Sequence, residues 1–285
     1  MTAISSITIT RLAGSIGAEI GGVDIASEVS DETVEAVRRA LLEHKVVFLR
    51  EQRLDYESQV VFARRFGELT TGHPIFKAPD TRPALRALDS QEGARANHWH
   101  TDLTFLERPP AFAFLYGKVI PPVGGDTMWA NAAVAYTTMP DELRDLVNRL
   151  RIVHSNDSDY TDETVIARRD YIARIFEAEH PAVRVHPETG EPSLLLGGFA
   201  RRVSGFGPQA SRDLLRILQD WATRPEHTVR WRWRAGDLVI WDNQATLHYA
   251  IFDYGDAHRR VERVTVAGGV PVGLDGRPGR VLSAG

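Results

Sequence analysis

The stretch TVRWRWRAGDLVIWDNQATLHYAIFDYGDAHRRVERVTV (228–266) decides the fold. It breaks into four short runs, TVRWRW, DLVIWD, ATLHYA and RRVERVTV (the last running on into AG), separated by the turn-forming segments RAGD and DYGDAH. The runs are rich in β-branched and aromatic residues, and each has the length of a strand rather than of a helix. Upstream, AFAFLYGKV (111–119) reads as another apolar strand. PPVGGDTMWAN (121–131) reads as a turn followed by a strand, and AVRVHPETGEPSLLL (182–196) as a hairpin turning at PETGEP. KVVFLR (45–50) is a buried strand. Helices are spaced among these. SDETVEAVRRALLEH (30–44) has Ser30 as its N-cap and puts Val34, Val37 and Leu41 on one stripe. DYESQVVFARRFG (55–67) is capped by Asp55 and closed by Gly67. Pro140 opens a helix with Leu143, Leu146, Val147 and Leu150 inward, and 208–225 is amphipathic. No Gly-rich phosphate loop follows a strand, and strands do not alternate regularly with helices. A doubly wound parallel sheet is therefore disfavoured. The expectation is a mainly β chain with flanking helices, built as a sandwich or jelly-roll barrel in one domain over 1–285. Residues 72–95 have poor periodicity and read as a loop or lid, and 154–180 as a polar, partly helical excursion.

Composition narrows the chemistry. With 43% hydrophobic residues among 285, the chain can build a sizeable core. A net charge of −4 gives no basic footprint for nucleic acid, and no polybasic run suits a membrane surface. The absence of cysteine excludes disulfides, thiolate metal sites, iron–sulfur clusters and a cysteine nucleophile. The first residues lack a basic and then apolar leader, and no apolar run has the length of a membrane span, so a cytoplasmic protein is expected.

NHWHTDLTF (97–105) reads as a strand, which would put His100 and Asp102 on one face. Either the pair holds a cation or the two hydrogen-bond each other. His248, in ATLHYA, is the candidate third ligand. In HRRVERVTV (258–266), Arg259, Val261 and Arg263 alternate on one face, with Arg260 and Glu262 on the other. Two arginines on a largely buried strand need anionic partners, either Asp and Glu side chains or a bound anion. Two histidines and one carboxylate leave open positions on a metal, which suits non-haem Fe(II) oxygenases better than tetrahedral zinc. His98 shares the strand parity of His100 and could reach a pocket rim. His154 is not expected to be a ligand, and Trp231, Trp233 and Trp241 are expected to fill the core.

WHTDLTF, GGDTMWAN, WDNQATLHYA and HRRVERVTV, in this order and spacing, resemble the Fe(II)/2-oxoglutarate dioxygenases of the taurine dioxygenase (TauD/TfdA) family, nearest its alkylsulfatase-like members. The likeness runs from IGAEIGGVDI (16–25) to VTVAGGVPV (264–272). It implies a double-stranded β-helix (jelly-roll) core and iron on His100, Asp102 and His248. It also implies 2-oxoglutarate held by Thr127 and Arg259, with O2 as the oxidant. His73 and Arg263 would bind the anionic head of a small organic substrate, Leu103 would line the same pocket, and Arg263 would share its contacts with 2-oxoglutarate. The implied reaction hydroxylates the carbon beside a sulfate ester or sulfonate, giving an aldehyde plus sulfate or sulfite. The rivals are a carboxylate substrate of aryloxyalkanoate type, a zinc hydrolase, and an inactive 2-oxoglutarate sensor. Relatives imply a homodimer or homotetramer. Glu262 departs from the family pattern and by parity faces away from the pocket, toward Arg260.

Overall fold

On the strand Phe112–Val119, residues 112, 114 and 116 pack into one hydrophobic cluster while 113 and 115 pack into another. That period of two makes a sheet with two dry faces. The structure is a computed structural model and describes residues 7–76, 81–93, 95–157, 172 and 174–285. In chain order the strands are β1 (Thr8–Arg11), β2 (Ala18–Gly21), β3 (Val46–Leu49), β4 (Arg86–Asp89), β5 (Phe112–Val119), β6 (Thr127–Asn131), β7 (Arg151–Ser155) and β8 (Phe176–Pro181). They continue as β9 (Val183–Val185), β10 (Pro192–Leu194), β11 (Ala200–Val203), β12 (Thr228–Trp231), β13 (Leu238–Asp242), β14 (Thr246–Ala250), β15 (Arg260–Val266) and β16 (Arg280–Ala284). The helices are α1 (Asp31–His44), α2 (Tyr56–Arg64), α3 (Ala132–Thr137), α4 (Asp141–Val147) and α5 (Pro208–Ala222). The architecture is mainly β with few helices.

Seven strands form the largest sheet, in the order β1-β2-β3-β13-β5-β15-β4. Its outer face carries Val47, Phe112, Phe114, Ile240 and Val264, packed against α1 and α2. Both helices start as expected. The Ser30 side chain accepts from the Thr33 amide, and Asp55 forms a reciprocal capping box with Ser58. The inner face carries Val46, Phe48, Leu115, Val239, Trp241 and Val261, and meets Trp129 and Trp231 from the three-stranded sheet β12-β6-β14. Phe48 stacks on Trp231 at 4.1 Å between ring centroids, and the three tryptophans expected in the core are all buried. A third core lies under α3, α4 and α5, beside the four-stranded sheet β11-β7-β8-β16. The expected hairpin forms as β9-β10. Among the described residues no helix is long and apolar enough to cross a membrane.

Two local expectations are corrected, and a third is met only at its ends. Residues 97–105 are not a strand. Only His100 makes bridge contacts, to His248 and Gly197, and the chain then enters a turn in which Leu103 has φ +53°. The loop expected over 72–95 contains β4, which pairs with β15 in the large sheet; residues 77–80 and 94 of it lie outside the described residues. The excursion expected over 154–180 begins at the end of β7 and closes as β8, which pair with each other. Its expected helix lies outside the described residues, which omit 158–171 and 173. In the first two places pairing with distant strands decides the local conformation, and short segments carry little periodic signal of it.

Candidate active site

Between the large sheet and β6-β14 the tryptophan core gives way to a cavity of about 170 Å³. The turn after His100 brings one wall and β14 the other. His100 and His248 exchange backbone hydrogen bonds (3.0 and 2.7 Å), which sets their rings side by side with centroids 4.0 Å apart. Gly197 presses on this joint, because a Cβ there would lie 2.7 Å from the His100 Cα. The Nε2 atoms of His100 and His248 are each 3.7 Å from Oδ1 of Asp102. Ligand atoms of these three buried residues all fall within 4.8 Å of one another. Asp102 thus reaches the point at which the histidines aim from a turn, not from the expected strand face.

The chemistry of the donors fits a metal ion. His100 Nδ1 lies 2.8 Å from the His98 carbonyl oxygen, which only accepts. The proton therefore sits on Nδ1 and the lone pair on Nε2 points at Asp102. Burial pushes the His100 imidazole down to about 3, helped by His248 beside it, and burial pushes His248 down to about 4. Both rings are neutral at pH 7, the form a metal needs. Burial raises the Asp102 carboxyl, but the Arg263 guanidinium, then His248 and His100, outweigh it and hold the group down at about 2. One carboxylate oxygen, Oδ2, is buried without a hydrogen-bond partner. An anionic oxygen left so is costly unless a cation meets it.

The arginines behave differently from one another. Arg263 Nη1 donates to Asp102 Oδ1 at 2.5 Å, so this buried cation has a protein partner. Arg259 is buried, donates from Nε to the Gly125 carbonyl at 3.0 Å, and has no carboxylate within salt-bridge distance among the described residues. Asp126, whose charge acts on Arg259, accepts from Arg230 at 2.7 Å. Gly125 is needed there: its φ is +72°, and a Cβ would stand 3.0 Å from the Arg259 Cδ. Thr127 Oγ1 receives Trp233 Nε1 at 2.9 Å and faces Arg259 Nη2 at 3.5 Å. With both acceptor positions of the oxygen facing donors, the hydroxyl hydrogen is left to donate to a ligand. Thr127 and Arg259 both line the cavity.

The cavity also takes in His73, Leu103 and His98. His73 packs on Phe76 (4.9 Å between centroids). His154 lies elsewhere, bonded through Nδ1 to Thr104 Oγ1 at 2.9 Å. Glu262 faces away from the cavity, accepting from Arg260 at 2.9 Å. Three contributors escaped the sequence reading. Trp233 orients Thr127, Trp241 packs on His248 at 4.8 Å, and Phe199 stands edge-on to His100. The tryptophans were legible only as core, and GGFA around Phe199 carries no signal at all.

The profile of the family described as "Taurine catabolism dioxygenase TauD, TfdA family" matches residues 8–265. The alkylsulfatase of Acinetobacter baylyi is 46% identical over 283 residues, covering 96% of this chain and 89% of that protein. The alpha-ketoglutarate-dependent sulfate ester dioxygenase of Pseudomonas putida is 47% identical, covering 96% and 94%. The crystal structure of a putative alpha-ketoglutarate-dependent taurine dioxygenase from Burkholderia xenovorans superposes with a TM-score of 0.88 at 39% identity, covering 98% of this chain and 99% of that one. With a family match over most of its length and relatives at this identity, the chain belongs to the TauD/TfdA family and is an Fe(II)- and 2-oxoglutarate-dependent dioxygenase.

Proposed function

We propose that the enzyme hydroxylates the carbon next to the anionic head of an alkyl sulfate ester. His100, Asp102 and His248 hold the iron, and Arg259 with Thr127 holds the distal carboxylate of 2-oxoglutarate. His73 and Arg263 face the substrate head, with Leu103 beside it. The observation that carries this reading is the buried Arg259, a cation with no carboxylate among the described residues, next to a hydroxyl poised to donate. A zinc hydrolase has no use for such a second anion site. The sulfate ester is favoured over a carboxylate substrate by the two relatives near 46–47% identity, whose names specify sulfate esters or alkylsulfatase. The sheet pair around the tryptophan core is read as a double-stranded β-helix within one dioxygenase domain.

Bound iron and 2-oxoglutarate supply the oxidising power for hydroxylation by O2, yielding succinate and carbon dioxide. The protein's own share is placement. Neutral imidazoles and the ionised Asp102 would present three donors to the ion, and Arg259 and Thr127 line the same cavity to take the co-substrate. Arg259 fixes the co-substrate through a charge-assisted pair. The aromatic wall of Trp241, Phe199 and Phe105 keeps bulk water from the reacting carbon. Once hydroxylated, a carbon that carries a sulfate-ester oxygen releases sulfate and becomes an aldehyde.

Adding Fe(II) and 2-oxoglutarate together to the apoprotein without oxygen should give a weak visible charge-transfer band that neither gives alone. In air, succinate should then form with alkyl sulfates in preference to aryloxyalkanoates. No band with Fe(II), or succinate coupled only to carboxylates, overturns the reading.

A further inference from the structure

The turn that carries Asp102 has no strand partner where its geometry matters most. The ladder ends at His100. Past it, Leu103 adopts φ +53°, a left-handed conformation that costs a side-chain-bearing residue about 1–2 kcal/mol. Something must hold the chain in this shape.

Asn243, fully buried between β13 and β14, supplies the missing partner. Its Oδ1 accepts from the Asp102 amide at 2.9 Å, and its Nδ2 donates to the Asp102 carbonyl at 3.2 Å and to the Pro110 carbonyl at 2.9 Å. One carboxamide thus grips both backbone groups of Asp102, as a neighbouring strand would. Aspartate at this position would set an acceptor against two carbonyl oxygens. Asn243 is itself immobile: its amide donates to the Ala111 carbonyl at 2.9 Å, and its carbonyl accepts from the buried Arg184 at 2.6 Å.

The clamp matters because the Asp102 carboxylate has two claimants. Arg263 already holds Oδ1 at 2.5 Å, the same oxygen that lies 3.7 Å from Nε2 of each histidine, while Oδ2 has no partner. A guanidinium favours both oxygens of a carboxylate at once. With its backbone free to turn, Asp102 would be drawn onto Arg263 and away from the histidines. We infer that Asn243 is a positioning residue that keeps one Asp102 oxygen directed at the His100–His248 pair and so sets the affinity for the divalent ion. The inference rests on the proposed role of Asp102 as an iron ligand.

The test is an anaerobic Fe(II) titration of the full chain, with and without 2-oxoglutarate. It compares wild type, Asn243→Ser, Asn243→Asp, Asp102→Ala and Ser193→Ala. The last removes a different buried hydrogen bond, Ser193 Oγ to the Gln244 carbonyl at 2.9 Å, and leaves the Asp102 contacts intact. Both Asn243 variants should raise the Kd for Fe(II) by roughly 10–100-fold, the effect expected of groups that orient a ligand, and should shift the charge-transfer band. Ser193→Ala should keep the wild-type Kd and band even where its melting temperature falls. The inference is overturned if either folded Asn243 variant binds Fe(II) like wild type, or if Ser193→Ala weakens binding as much. Unchanged binding by Asp102→Ala would instead overturn the ligand assignment beneath it.

Discussion

The two faces of the seven-stranded sheet come from the same strands, yet they treat charge in opposite ways. On the outer face the buried Glu262 is fully matched, by Arg260 at 2.9 Å and Lys118 at 3.8 Å, amid the apolar contacts of Val264 and Val266 with α1 and α2. On the inner face Arg263 is matched by Asp102, but Arg259 is not matched by any carboxylate among the described residues, and Asp102 keeps one bare oxygen. A matched buried charge belongs to the fold. An unmatched one is costly, and persists where a ligand completes it. If that contrast is sound, inner-face substitutions should hurt function more than stability, and outer-face substitutions the reverse.

The largest effect should come from Asp102→Ala. It removes a proposed iron ligand and leaves Arg263 buried without its partner. Fe(II) binding should be lost and succinate formation should fall by on the order of 10³-fold or more. Its outer-face counterpart is Phe114→Ala, which should cost about 3–5 kcal/mol of stability in urea while the folded fraction keeps its Kd for Fe(II). Loss of metal affinity in Phe114→Ala, or its retention in Asp102→Ala, would break the contrast.

Next in size is Arg259→Met. Removing a charge that pairs with a bound carboxylate should cost roughly 2–5 kcal/mol, which is a rise in KM for 2-oxoglutarate of about 30-fold to several thousandfold. The apoprotein should not be destabilised, and should even gain stability, because a buried guanidinium without a carboxylate gives way to an apolar chain of similar length. A destabilised apoprotein with normal KM would make Arg259 a structural residue and the unmatched charge uninformative.

Legibility followed the same divide. The dry outer face was readable because it obeys a period: Val34, Val37 and Leu41 recur helically in α1, and the β5 and β15 residues alternate. Caps at Ser30 and Asp55 were readable because they are local. The parity of Arg259, Arg263 and Glu262 came from the same rule. What failed was whatever depends on a distant partner. Asp102 sits in a turn because Asn243 takes the place of a strand, and β4 exists because β15 pairs with it. The convergence of His100 with His248, 148 positions apart by their numbers, came from family likeness and from no periodicity. The hydroxyl direction of Thr127 depends on Trp233, which composition alone marks only as core.

A milder effect concerns acid. His180 is buried against the Asp102 turn, with Nε2 3.0 Å from both the Thr104 and Leu106 carbonyls, and burial lowers it to about 4. His154, on the same turn through Thr104, is also pushed well down by burial. Both have folded values below the unfolded value near 6.5, so the unfolded chain binds more protons between those limits. Their contribution is intact above pH 6.5 and is lost as pH falls toward 4, with a slope of up to about 1.4 kcal/mol per pH unit for each group. The apoprotein's urea midpoint, followed from pH 7.5 to 4.5, should be flat at first and then fall. A midpoint level down to pH 4.5 would mean that these rings are not held neutral by burial.

The smallest effect should come from Glu262→Gln, and it sharpens the contrast most. Glu262 lies between Val261 and Arg263 in sequence, so a bulge or a one-residue slip of β15 would turn its carboxylate into the cavity. There it would oppose an anionic substrate and compete for Arg263. The register fixes it outward: Glu262 is opposite Tyr116 and Ala87, and Tyr116 belongs to the outer core. Glutamine keeps the shape and loses the charge. It should cost about 1 kcal/mol of stability, because Arg260 is partly solvated and the pair is modest. The KM values for alkyl sulfate and 2-oxoglutarate should both stay within about twofold of wild type, since an outward carboxylate is already offset by Arg260 and Lys118 on its own side of the sheet. A fall in the KM for alkyl sulfate without a stability loss would place Glu262 on the inner face. The charge balance of the pocket would then have to be rewritten around it.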